Sequence, residues 1–208
     1  MALLKAGALL KTDADVYSFA TPLAERYFAR LAFPSRTRDA PTSLPVLIEK
    51  AIGRMSAVTL ASGVPPTGTF PKESAFQHEL HKALAESLPP TFSVVSDLSR
   101  TSGPYDEEDG ELDFYVNNNL KYGIEVLVQG DKIGEHIDRF TPGGMYENIP
   151  TNDRVVLDFR QSAKGKPTAI KLVKKERITV FFKRGGDFTK CSCLFGMDPK
   201  PKEINLSP

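Results

Sequence analysis

With 208 residues, 40% of them hydrophobic and 25% charged, the chain can bury a substantial core, which excludes disorder throughout. A formal net charge of +1 gives no overall basic excess that would announce a nucleic-acid partner, so only the distribution of charge is informative. Its two cysteines, Cys191 and Cys193, exclude a disulfide framework: two apart on a strand they share one face and pair poorly with each other, and with three histidines they supply too few soft ligands for zinc.

Reduced thiols imply an intracellular setting, the cytoplasm or nucleus. The first ten residues, broken by Lys5 and Gly7, read as neither signal peptide nor membrane anchor. Phe19, Leu23, Tyr27 and Leu31 predict a helix over Tyr17 to Phe33, with Thr21-Pro22 at its start. Ser43 is placed to cap a second helix with the apolar stripe Leu47, Ile48, Ile52 and Met55. The proline- and glycine-rich stretch 63–71 then reads as a loop, which ends a helical N-terminal extension at residues 1–70.

A third helix is predicted from Glu73 to Leu88, because Phe76, Leu80, Leu84 and Leu88 recur every four residues before Pro89-Pro90. Glu79, beside Leu80, falls at the edge of its buried face, where solvation is the alternative to a role in a site. Thr91 to Val95 reads as a short strand and Ser99 to Asp109 as a polar loop.

The stretch Gly110 to Phe140 predicts strand, tight turn, strand and helix. Leu112, Phe114 and Val116 alternate with Glu111, Asp113 and Tyr115, Asn117-Asn118-Asn119 supplies a turn, and Tyr122 to Val128 is an apolar run interrupted by Glu125. A carboxylate inside such a run needs a cation, a metal or a solvated cleft. Two acids on paired strands suit a divalent ion that takes oxygen ligands and shares its shell with substrate phosphates, such as Mg²⁺ or Mn²⁺. The alternative for Asp113 is a solvated sheet face.

Asp131 is placed to cap the following helix, with Ile133, Ile137 and Phe140 toward the core. Lys132, His136 and Arg139 then share a face that either binds phosphate and assists proton transfer or is simply exposed. Val155 to Phe159 reads as an interior strand, Lys164 to Pro167 as a turn, and Arg177 to Phe195 as a terminal hairpin turning at Arg184-Gly-Gly-Asp187. Basic residues after Asp158 form either a phosphate-tracking surface or the charged face of a sheet. Residues 198–208 read as a loose tail after a domain spanning 71–197.

The segments Gly110-Glu-Leu-Asp-Phe-Tyr-Val116, Tyr122-Gly-Ile-Glu-Val-Leu127, Gly130-Asp131, Glu135-His136, Arg139-Phe140 and Val156-Leu-Asp-Phe-Arg160 resemble the nuclease-like domain of Crinkler-type proteins, effectors of fungi and oomycetes within the PD-(D/E)xK superfamily. The resemblance implies an α/β (α+β), restriction-endonuclease-like fold: a mixed β-sheet flanked by helices. It also implies that Asp113 and Glu125 are the metal-binding carboxylates and Glu79 the helix carboxylate that completes the shell. The superfamily's lysine, two residues after the second acid, is replaced here by Leu127. Lys132 or His136 is the candidate substitute, and Arg139 and Lys132 are the candidate phosphate ligands.

Two functions follow as expectations. One is metal-dependent hydrolysis of DNA or RNA. The other is a catalytically degenerate module of the same fold that binds nucleic acid or a host protein, with no membrane partner.

Overall fold

The computed structural model describes residues 9–11, 17–19, 21, 24, 27, 28, 31, 37–98, 111–163, 176–196, 198 and 200–208. Strands β1 (Leu9–Lys11) and β2 (Tyr17–Phe19) form an antiparallel pair. Residues 17–19 are therefore extended, not the start of a helix. Their chain neighbours across the pair satisfy backbone groups that a helical first turn would leave open. Thr21 Oγ1 does accept from the Ala24 amide at 3.1 Å, the contact expected of a helix cap.

Helix α1 (Leu44–Arg54) has Ser43 at its cap position without a side-chain cap bond, and buries Leu44, Leu47, Ile48, Ala51 and Ile52. A short helix α2 (Ala57–Ser62) follows, and α3 (Glu73–Ser87) buries Phe76, Leu80 and Leu84 as its four-residue recurrence dictates. The main sheet has seven strands in sequence order: β3 (Val94–Leu98), β4 (Leu112–Val116), β5 (Tyr122–Val128), β6 (Asp153–Ser162), β7 (Arg177–Lys183), β8 (Lys190–Phe195) and β9 (Lys202–Asn205). Pairing is antiparallel from β3 to β5, parallel from β5 through β6 to β7, and antiparallel again to β9. The fold is thus α+β with a mixed sheet. The first parallel step needs a crossover, and helix α4 (Ile133–Asp138) lies within it.

One sheet face carries Phe114, Ile124, Val126, Leu157, Phe159, Val180 and Cys193 and packs with α1, α2 and α3 into a single core. Phe76 stacks on Phe159 with centroids 4.2 Å apart. Cys191 and Cys193 are free, buried thiols on this face. The opposite face carries Leu112, Leu127 and Val156 against Phe140, Tyr146 and Ile149. The last residues correct the expected loose tail: β9 pairs with β8, Ile204 and Leu206 are buried, and the Ser207 amide donates to Met55 O at 3.0 Å. Alternation around a single isoleucine was too brief to register as a strand in a lysine- and proline-rich stretch.

The expected turn at Lys164 to Pro167 and the polar loop Ser99 to Asp109 lie outside the described residues. Among the described residues no helix is long and apolar enough to cross a membrane.

Candidate metal and phosphate site

Strands β4 and β5 pair Phe114 with Ile124, and one further step in that register sets Asp113 opposite Glu125. The recorded pairing ends at Phe114 and Ile124, and beyond it Asp113 Oδ2 accepts from the Val126 amide at 2.6 Å. Leu112, still paired with Leu98 of β3, belongs to the opposite core cluster from Phe114. Asp113 Oδ1 accepts from Gln77 Nε2 of α3 at 2.9 Å, and Gln77 in turn lies 3.4 Å from Glu73 Oε1 one helical turn earlier.

Glu125 is 1% exposed. His136 Nδ1 lies 2.7 Å from its Oε2, and Arg139 Nη1 lies 3.3 Å from Oε1 and 3.5 Å from Oε2. Arg139 Nη1 also lies 3.4 Å from His136 Nδ1, so the three side chains form one cluster. The Tyr146 hydroxyl contacts Glu125 Oε1 and stands 2.8 Å from the Glu111 carbonyl, with one proton for two acceptors.

Charge is crowded here. Burial pushes the Asp113 carboxyl up to about 7 against the opposing Val126 amide bond, and Glu125 and Glu73 push in the same direction while His136 pulls back. Glu73, at the exposed first turn of α3, is also raised, by local desolvation first, with His136 and Arg139 lowering it and Glu125 and Asp131 raising it. Arg139 is raised overall: Glu125 and Tyr146 outweigh the desolvation that opposes its charge. Burial, then Glu125, pushes the Tyr146 hydroxyl well above the ordinary tyrosine range.

Of the six residues expected from sequence, Asp113, Glu125, His136 and Arg139 come together. Glu79 does not. It is 2% exposed and Oε2 accepts from the Ser56 amide at 2.7 Å, so it caps the N-terminus of α2 instead of facing Asp113. The helix face over the paired acids carries Glu73 and Gln77, which the apolar stripe did not single out.

Replacing Glu79 with alanine should cost roughly 1–3 kcal/mol, the penalty for a buried amide that loses a charged acceptor. Thermal melts would read the loss, and any nucleic-acid cleavage should stay at wild-type level in the folded fraction. A loss of turnover without a loss of stability would instead return Glu79 to the site.

Lys132 also departs from expectation. The backbone is left-handed at Gln129, Gly130 and Lys132, with φ of 61°, 69° and 44°, so α4 starts only at Ile133, without Asp131 as its cap. Lys132 is left exposed, 3.8 Å from Glu135. Leu127, which the resemblance sets at the lysine position, is 1% exposed among apolar neighbours.

A second ionic group lies on the same sheet face. Leu127 pairs with Asp158, and Asp158 with Thr179. Asp158, fully buried, accepts through Oδ2 from Arg160 Nε at 2.6 Å and from Arg177 Nη2. Asp158 Oδ1 and Arg177 Nε have no hydrogen-bond partner among the described residues. Burial lowers the Arg177 pKa, with Asp158 opposing.

Among the described residues no three His, Cys, Asp or Glu side chains are grouped closely enough to hold a metal by themselves. Two carboxylates suffice for an ion that keeps waters and completes its shell with phosphate oxygens, as Mg²⁺ does. Asp113 and Glu125 are the acids of that type here, with their oxygens engaged by Gln77 and Val126 and by His136, Arg139 and Tyr146. No family model, curated protein or solved structure matches the chain.

Proposed function

We propose that the protein is a metal-dependent phosphodiesterase acting on DNA or RNA, of the PD-(D/E)xK type suggested by its resemblance to Crinkler nuclease-like domains. The observation that carries this reading is the mutual repulsion of Asp113, Glu125 and Glu73, with Asp113 and Glu125 one step beyond the pair of Phe114 and Ile124 in β4 and β5. Like charges withdrawn from water in this way favour a cation between them. The element order of α3, three antiparallel strands, α4 and a parallel strand agrees with the fold the resemblance implies.

Asp113 and Glu125 would hold Mg²⁺ or Mn²⁺, which when bound supplies an acidified water and neutralises charge on the phosphate. The chain's own contribution is charge and proton placement. Gln77 and the Val126 amide fix the Asp113 carboxylate. Arg139 offsets Glu125, and His136 brings Nδ1 to 2.7 Å from the same carboxylate, the imidazole that α4 supplies to the acids. His136 is therefore the substitute for the lysine absent at Leu127. An intracellular location, in cytoplasm or nucleus, goes with this reading.

A second reading has its own support: with Leu127 sealed in an apolar cluster and Lys132 paired to Glu135, no lysine among the described residues enters the site. This favours a module that binds nucleic acid, or a host protein, without cutting.

Cleavage of fluorescent single- and double-stranded DNA and RNA with Mg²⁺ or Mn²⁺ separates the two. The phosphodiesterase reading expects cutting by the wild type and a loss of at least about 100-fold in Asp113→Ala and Glu125→Ala. Equal inactivity of all three proteins would leave only the binding module.

A further inference from the structure

We infer that Arg160 is a preoriented anchor for a backbone phosphate of the bound strand, set beside the paired carboxylates at the end of the parallel strands. The inference rests on the nucleic-acid reading above and adds the residue that fixes the strand's position.

Arg160 stands near the C-terminal end of β6, beside the end of β5, where the Gln129 amide still donates to Phe159 O at 2.8 Å. In α/β sheets this end of parallel strands is where ligands bind. Asp158 Oδ2 fixes the guanidinium through Nε, and the same oxygen also accepts from Arg177 Nη2. The loop into α4 closes over the guanidinium so tightly that a Cβ at Gly130, where φ is +69°, would collide with Arg160 Nη2. The side chain is nevertheless 22% exposed, and beyond Nε its donors meet no acceptor among the described residues. A planar cation held rigidly with its terminal donors free suits bidentate contact with phosphate.

The position suits a strand crossing the paired acids. Glu125 pairs with Val156 and Leu127 with Asp158 across β5 and β6, so Glu125 and Asp158 share a face, one strand and two residues apart. Strand geometry makes that roughly 8 Å. Arg160, two residues further along β6 on that face, is by the same geometry roughly 14 Å from Glu125. At about 3.4 Å per nucleotide of a duplex strand, the phosphate it holds is about four nucleotides from the one nearest the acids. Exposed Lys183, the last residue of β7, and Arg184 just past it extend the basic track. The unpaired Asp158 Oδ1 and Arg177 Nε are a cost that an apolar pair would avoid. Orientation of Arg160 gives that cost a purpose.

The test is anisotropy of a fluorescent 12-nucleotide single-stranded DNA, titrated in EDTA at several salt concentrations, with the wild type, Arg160→Gln and Gly130→Ala. Arg177 remains on Asp158 in Arg160→Gln, and circular dichroism checks the fold. Arg160→Gln should weaken binding about 10-fold and reduce the slope of log affinity against log salt by about 0.7, the loss of one phosphate contact. Gly130→Ala, which changes no charge but displaces the guanidinium, should weaken binding by a comparable factor. Wild-type affinity and slope in folded Arg160→Gln overturn the inference, as does wild-type affinity in folded Gly130→Ala. Absence of DNA binding by the wild type also overturns it. Because the titration needs neither metal nor turnover, a wild type that binds but does not cut loses only the catalytic reading and leaves the anchor standing.

Discussion

Asp113→Asn is expected to be more stable than the wild type at pH 8 by roughly 2–4 kcal/mol, with the advantage shrinking below roughly 1 kcal/mol at pH 4. The sign follows from the direction of the shift. Burial and the neighbouring Glu125 and Glu73 carboxylates raise the folded-state value to about 7 from an ordinary 3.8, while Val126 and His136 oppose them. Between those values the folded protein keeps a proton that the unfolded chain has lost, so wild-type stability falls as pH rises through the window. Asparagine cannot ionise. Its amide still offers an oxygen to the Val126 N–H, and Gln77 can turn its own amide to meet it.

Thermal melts of the two proteins across pH 4 to 8 in EDTA would read the difference as a gap of roughly 5–10 °C that opens with pH. An asparagine variant that melts below the wild type at pH 8 would sink the argument that Asp113 is held against its preferred protonation state. A stabilising substitution at a residue that the proposed reading requires for cleavage is the pattern expected where a fold sacrifices stability for function.

The second large effect lies at Asp158. Alanine there leaves Arg177, 4% exposed, without its carboxylate and next to Arg160, and should cost roughly 3–5 kcal/mol. Replacing Asp158 and Arg177 together by leucine and methionine should recover most of that loss, because a well-packed apolar pair escapes desolvation altogether. Urea denaturation of both singles and the double variant would measure the coupling. Singles that cost less than about 1 kcal/mol would mean that water already reaches the pair and that Arg160 is less firmly held than its geometry implies.

Periodicity made much of this architecture readable. The α3 stripe falls where four-residue spacing puts it, and the strands bearing Asp113 and Glu125 were marked by alternation and by one acid inside an apolar run. What stayed hidden depends on partners far along the chain. Nothing near Glu79 indicates that the Ser56 amide, 23 residues earlier, will claim it. The same long-range packing turns Glu73 and Gln77 toward the acids, where only their spacing of four residues hinted at a shared face. Lys132 was misplaced for a local reason: a helix drawn from Asp131 ignores the left-handed turn that ends at Lys132. Tyr146 sits in a turn-rich stretch without periodicity, so no pattern assigned it to Glu125.

The pairing of the last strand has a kinetic consequence. Ser207 Oγ reaches Gly53 O across 154 residues of sequence, at 3.2 Å, and the Ser207 amide reaches Met55 O. Contacts of such separation close the longest loops in the chain, and loop closure must be met before the contacts repay it. The α3 hairpin region, from α3 through β5, is built from near neighbours and can order early. The junction of α1, α2 and β9 is then the late step of folding, and its amides should exchange with solvent before those of β5 and β6 in the native protein.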